Sequence, residues 1–134
     1  MNEVISFFLN NMEYAFGTKD GFEVLKPVKF TGVPLTPRFI KGIFSVRGQL
    51  LTLVDLKKRL GLKSSGRPLA SSLVLVAGDG HMRAGFLVDK LGGVKGYDRK
   101  DLTPAKKGDG FLKGIVKCGG GLIRVLDMEK VLTF

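Results

Sequence analysis

With one cysteine in 134 residues, the chain cannot form an internal disulfide, and a reducing compartment is the simpler setting. It has one histidine and no tryptophan. No metal or cofactor is expected. No apolar run approaches the ~20 residues that span a bilayer. Val4 to Leu9 follows a non-basic start, Met1-Asn2-Glu3, and is too short for a secretory leader. These absences lead to the expectation of a soluble, cytoplasmic protein without membrane insertion. Acidic residues are also scarce, 12 against 22 Lys and Arg, for a net charge of +10. That balance admits nucleic acid, an anionic membrane surface or an acidic protein as partner. Lys57, Lys58, Arg59, Lys63 and Arg67 concentrate it in a stretch without acids, which reads most simply as a solvated face and a loop.

What is abundant is glycine, 19 residues, among short apolar runs. Val4 to Leu9, Asn10-Asn11 and Met12 to Phe16 read as strand, tight turn, strand, since Asn tolerates positive φ. Gly21 to Lys29 reads as a strand broken at Pro27. Thr36-Pro37 before Arg38 to Gly42 reads as one helical turn with a Thr cap. Ile43 to Val46 and Gln49 to Val54 flank Arg47-Gly48 as a hairpin, and Asp55 caps a short helix ended by Gly61. Leu73 to Ala77 and Met82 to Val88 form a hairpin with Asp79-Gly80 as its turn pair. Phe111 to Cys118 and Leu122 to Leu126 flank a triple glycine, and Asp127 caps a closing helix. About ten short strands and two short helices predict an all-β barrel architecture.

An internal repeat organises this pattern. Residues 39–60 align without gaps on 111–132, with nine of 22 positions identical: Phe39, Lys41, Gly42, Ile43, Gly48, Leu50, Asp55, Lys58 and Leu60 against their partners. Upstream, Val28-Lys29 and Leu35-Thr36-Pro37 match Val94-Lys95 and Leu102-Thr103-Pro104. Each copy is expected to build the same unit, the first over about 12–62 and the second over about 82–134, with a polar connector at 63–72. Strands at 4–9 and 73–77 are free to complete either barrel. A unit of this size has a thin core, so the two should share one, making residues 1–134 a single domain of two pseudo-symmetric barrels.

No catalytic set emerges. His81 falls at a predicted hairpin tip, where little excludes water. Cys118 has no nearby His and reads as a buried, inert thiol. Gly119-Gly120-Gly121 joins two strands and opens no helix, unlike a phosphate-binding loop. Asp55 and Asp127 are repeat-equivalent caps, not an acid–base pair. The chain is expected not to be an enzyme. The repeat breaks at Arg47, whose counterpart is Gly119, while Gly48 and Gly120 agree. One turn thus carries a guanidinium that its twin does without, a side chain common among interface anchors. The plainer alternative is a surface Arg on a hairpin.

The stretch Phe39 to Gly48, running on to Leu53-Val54-Asp55-Leu56, resembles the signature of CheW-like domains, the coupling proteins of bacterial chemotaxis. Tyr14-Ala15-Phe16 with Phe22-Glu23-Val24, Gly85 to Leu91, and Leu122 to Leu132 resemble further segments of that family, in its order. Three features depart from it: Thr52 replaces the usual proline, Gly21 sits where an apolar residue is common, and the charge is unusually basic. The resemblance implies two SH3-like five-stranded barrels around a shared core, with the short helices after Asp55 and Asp127. It implies a stand-alone cytoplasmic adaptor at membrane receptor arrays, linking chemoreceptor cytoplasmic tips to the regulatory domain of a CheA-type histidine kinase. The receptor is expected in a groove near Glu23, Val24, Gly42, Val46, Arg47 and Gly48. The kinase is expected edge-on at the strand of Gly85, Phe86, Leu87 and Val88. The alternative from charge and barrel alone is a basic nucleic-acid binder. Such binders interleave aromatics with cations, and the Lys57 to Arg67 stretch contains no aromatic.

Overall fold

The computed structural model describes residues 2–63, 71–106, 108 and 110–134. The chain runs β1 (Asn2–Leu9), β2 (Met12–Gly17), β3 (Phe22–Leu25), β4 (Ile40–Val46), β5 (Gln49–Asp55), α1 (Leu56–Arg59), β6 (Leu73–Asp79), β7 (Met82–Val88), β8 (Lys90–Tyr97), β9 (Leu102–Pro104), β10 (Leu112–Cys118), β11 (Gly121–Leu126) and α2 (Met128–Leu132). Two sheets result, ordered β8-β1-β2-β11-β10-β9 and β3-β6-β7-β5-β4. The fold is all-β, two SH3-like barrels with short helices, and the strand β9 gives one sheet six members rather than five.

The repeat is visible as matched backbone chemistry. Asp55 accepts from Lys58 N at 3.2 Å and Asp127 from Lys130 N at 3.4 Å, so both carboxylates cap their helices. The amide of each aspartate donates to a phenylalanine carbonyl, Asp55 to Phe39 at 2.7 Å and Asp127 to Phe111 at 2.8 Å. A bulge follows each phenylalanine, between Ile40 and Gly42 and between Leu112 and Gly114. A Cβ on Gly42 would lie 2.1 Å from the Thr31 carbonyl oxygen, and one on Gly114 would lie 2.6 Å from that of Thr103. Glycine is required at both bulges because another backbone segment crosses there, an isolated bridge at Thr31 and β9 at Thr103.

The copies do not each close their own barrel, as the sequence reading expected. The hairpin β1–β2 belongs to the sheet of β8 to β11, and β6–β7 to that of β3 to β5. Each hairpin joins its sheet through a parallel pairing, β2 with β11 and β5 with β7. The asparagines at the first turn, φ +52° and +65°, close a hairpin too tightly to involve β3, so β1 and β2 leave together.

Strand alternation sorts the apolar side chains into three layers. Ile5, Phe7, Leu9, Tyr14 and Phe16 from one sheet meet Leu75, Ala84, Phe86 and Val88 from the other in a shared core. Val4, Ala15, Val116, Ile123 and Val125 fill one barrel, and Phe44, Leu51, Leu53, Val74 and Val76 the other. Phe16 and Phe86 meet between the sheets with ring centroids 4.9 Å apart, a tilted pair that adds ~1 kcal/mol to its area burial.

Other expectations are corrected. Residues 36–42 form no helical turn: the Thr36 hydroxyl donates to the Val33 carbonyl at 2.9 Å, and β5 recruits the chain from Ile40 onward. The strand expected over 21–29 spans only Phe22–Leu25. The upstream repeat match also shifts, because Thr31 pairs with Ile43 as Thr103 pairs with Ile115. Thr31, not Thr36, is therefore the counterpart of Thr103. The turn of β6–β7 is Gly80-His81, one residue later than expected, with Asp79 facing Met82. Cys118 is half-buried rather than buried. Most of the expected connector, residues 64–70, lies outside the described residues.

Candidate functional site

The β4–β5 and β10–β11 turns share one conformation. Arg47 and Gly48 have φ of +46° and +79°, and Gly119 and Gly120 have +56° and +82°. Arg47 thus occupies left-handed backbone that its counterpart fills with glycine, where a side chain meets steric strain. Its guanidinium forks onto Glu23: Nη1 donates to Oε1 at 2.8 Å, and Nη2 to Oε2. This bidentate contact spans from the β4–β5 turn to β3, the opposite edge of the sheet, and closes one barrel's mouth. The Arg47 side chain remains 73% exposed against 26% for Glu23. Glu23 is the braced wall, and the guanidinium faces out. The Arg47 hydrogen bond, foremost, holds the Glu23 carboxyl below its usual range; desolvation opposes it, and the Arg47 and Arg83 charges add smaller lowering contributions.

Sheet register identifies what the other barrel has in this place. Thr52 opposite Ala84 is matched by Arg124 opposite Tyr14. Val76 lies as far before the Gly80 turn as Ser6 before the Asn10 turn. Val76 faces Glu23, and Ser6 faces Gly93. Both members of the Arg47–Glu23 pair are therefore replaced by glycine, Gly119 and Gly93, across the pseudo-symmetry. That paired break includes Glu23, whose counterpart the sequence alignment could not locate.

The other predicted groove residues separate by face. Val46 packs on the interior of the same barrel as Phe44 and Leu51. Val24 alternates to the opposite face from Glu23 and packs on the shared core. Gly48 is exposed beside Arg47, whereas Gly42 is buried at its bulge against Thr31. The sequence reading missed Ile43 and Leu50. Both are exposed, Leu50 by 70%, on the β4–β5 face that continues from the core residue Val54. Its repeat counterpart Leu122 is exposed too, a signal the alignment contained.

The segment expected to present an edge does not do so. β7 is paired on both sides, by β6 and β5, and Gly85, Phe86 and Val88 are buried, with Leu87 half-buried. Phe44 and Val74 side chains pack where a Gly85 Cβ would stand, within 2.9 Å. These residues build the core; an apolar run reads alike for a central strand and a sticky edge. A cavity of about 470 Å³ opens between the start of β1, the β6–β7 tip and the start of α2, and none of the predicted site residues lines it.

The basic stretch also differs from a simple solvated face. Lys57 pairs with Asp89 at 2.7 Å, and both side chains are nearly buried. The Arg59 guanidinium stacks on Phe39, Phe111 and Phe134. Among the described residues, no group of three or more His, Cys, Asp or Glu could hold a metal ion, and no helix is long and apolar enough to cross a membrane.

Known proteins are similar to this chain over nearly its full length. The CheW protein of Thermotoga maritima is 32% identical over 97% of this chain and 87% of its own length. That of Helicobacter pylori is 28% identical over 97% and 81%. FrzA of Myxococcus xanthus is 27% identical over 97% and 84%. The crystal structure of the scaffolding protein TtCheW from Thermoanaerobacter tengcongensis superposes with a TM-score of 0.85 at 29% identity, covering 94% of this chain and 88% of that one. The family model for the CheW-like domain matches residues 3–134, and with the double barrel and its Arg47 turn in place, the chain belongs to that family.

Proposed function

We propose that this chain is a chemotaxis coupling scaffold that joins chemoreceptor cytoplasmic tips to the regulatory domain of a CheA-type histidine kinase, in the cytoplasm at receptor arrays. The observation that carries the reading is the Arg47–Glu23 pair. A strained, exposed guanidinium is kept where the other barrel has glycine, and its carboxylate partner is glycine there too. Fold maintenance explains neither. The guanidinium has donors left to engage a carboxylate or backbone carbonyls on a receptor hairpin, with Glu23 holding it in place and Gly48 keeping the turn open. Ile43 and Leu50 offer the apolar surface beside it. Val24 anchors its strand in the shared core, and Val46 anchors its own in the barrel interior. The relatives' chemotaxis and scaffolding roles support the partner classes.

The test is co-sedimentation of this chain with a receptor-tip fragment and with the kinase regulatory domain from the same cell. Both should be retained. Failure to retain either partner overturns the reading. The basic nucleic-acid reading has no structural observation in its favour, since Lys57 and Arg59 of its proposed patch are engaged internally.

A further inference from the structure

Among the described residues, four non-glycine residues have positive φ: Asn10, Asn11, Leu35 and Arg47. The asparagines tolerate that backbone at a tight turn, and Arg47 belongs to the site above. Leu35, at φ +61°, follows Pro34 in a turn closed by the Thr36 hydroxyl on the Val33 carbonyl, a place that suits Gly or Asn, and its apolar side chain is fully exposed. It sits between Pro34 and Pro37 on the long β3–β4 connection. That connection is fastened at three points: Val28 packs on the barrel interior, Thr31 and Ile43 exchange backbone hydrogen bonds at 2.9 Å, and Ile40 N donates to Pro37 O at 3.0 Å. The loop is therefore built, and it presents a fully exposed apolar side chain in backbone that strains it. Strain kept at an exposed position points to an external partner.

The surroundings define that partner. Phe30 and Val33 are exposed on the same loop. No Asp or Glu occurs between Glu23 and Asp55, while Lys26, Lys29, Arg38 and Lys41 do. Lys26, Lys29 and Arg38 are exposed. An apolar knob on a loop whose charged residues are all cations fits an apolar pocket with a carboxylate rim. One leucine contributes only ~2 kcal/mol on insertion into a bilayer, too little to anchor the chain, whereas a shaped protein pocket adds close packing and specificity. We infer that the 26–41 loop is a second docking surface, with Leu35 as its anchor, and that it takes the kinase's regulatory domain. This rests on the coupling function proposed above, in which Arg47 serves the receptor. It also supplies a kinase surface in place of the buried Gly85 to Val88 strand.

Leu35→Asn tests it, because Asn keeps the left-handed backbone and removes only the apolar anchor. Binding is measured to three probes: the kinase regulatory domain, a receptor-tip fragment, and vesicles of 70:30 phosphatidylcholine and phosphatidylglycerol. The expected result is at least ~tenfold weaker kinase binding, unchanged receptor binding, and an unchanged or raised melting temperature. Kinase affinity should also fall as salt rises from about 0.05 to about 0.3 M. Unchanged kinase affinity in Leu35→Asn overturns the inference. So does a lowered melting temperature with equal loss of both partners, or vesicle binding that depends on Leu35. If the unmodified chain binds neither protein, the coupling function itself fails, a result distinct from any of these.

Discussion

Phe39 and Phe111 hold the same position in the two copies of the repeat, and both rings rest on one guanidinium. The Arg59 Cζ lies 4.7 Å from the first ring centroid and 4.6 Å from the second. Arg59 also donates to the carbonyls of Lys130 at 3.0 Å, Val131 at 2.9 Å and Thr133 at 2.8 Å, closing the end of α2 from α1. Arg59→Ala should cost about 2–3 kcal/mol, read as a drop of roughly 8 °C in melting temperature. Arg59→Lys should recover less than half, since an ammonium has no planar fork to serve three carbonyls and stack. A Lys variant as stable as the parent would show that charge alone suffices.

Arg47 predicts the opposite sign. Arg47→Gly removes a strained backbone position and a mostly solvated ion pair, so the melting temperature should hold or rise. Binding to a receptor-tip fragment should weaken roughly 30-fold, as expected on removal of an interface anchor. Glu23→Gln should weaken receptor binding less, because it loosens the guanidinium without deleting it. Unfolding of Arg47→Gly, together with normal receptor binding by the folded fraction, would make Arg47 a structural residue.

The glycines separate bulge from surface. Gly42→Ala and Gly114→Ala each press a Cβ into a crossing carbonyl and should cost ~3 kcal/mol, measured by urea denaturation. Gly48→Ala meets nothing within 4 Å and strains only its own φ of +79°, so it should cost less. If Gly42→Ala stays fully stable and loses receptor binding, Gly42 is a contact residue after all.

Glu13 gives a pH signature. Burial pushes its carboxyl up, but the hydrogen bond and charge of the Lys95 ammonium at 2.7 Å, together with the Ser6 hydroxyl, pull it further down, to a net lowering from its usual 4.5. A carboxyl lowered by folding stabilises the folded chain fully above 4.5 and loses that contribution as pH falls through the lowered value. Glu13→Gln should therefore melt about 3 °C below the parent at pH 7, and the gap should close below pH 4.5. A gap independent of pH would mean that packing, not charge, holds this pair.

Local chemistry made parts of this fold legible. The aspartate caps, the asparagine turn and the two central hairpins follow from residue types within a few positions of one another. Which hairpin completes which barrel depends on pairing between distant strands, and alternation alone cannot distinguish the partners. Strand β8, Lys-Leu-Gly-Gly-Val-Lys-Gly-Tyr, escaped notice because its three glycines and two lysines leave almost no apolar rhythm. The candidate site was legible at Arg47, where the repeat broke in sequence. Its partner's break, Glu23 to Gly93, became visible only through register, since insertions displace the two copies there.

The exchanged hairpins bear on how such a connector carries force. The chain crosses between the barrels at residues 18–21 and again at Asp89, where β7 hands over to β8. A pull applied at the Arg47 mouth thus passes into the second barrel along covalent bonds and the strands they continue into, not across a face that could slide. Two barrels joined by one strap would act as beads on a hinge. Laced together twice, with the Phe16–Phe86 contact between them, they act as one stiff block. Partners held at different places on it keep a fixed spacing and tilt, so a small rotation imposed by one is delivered to the other undiminished.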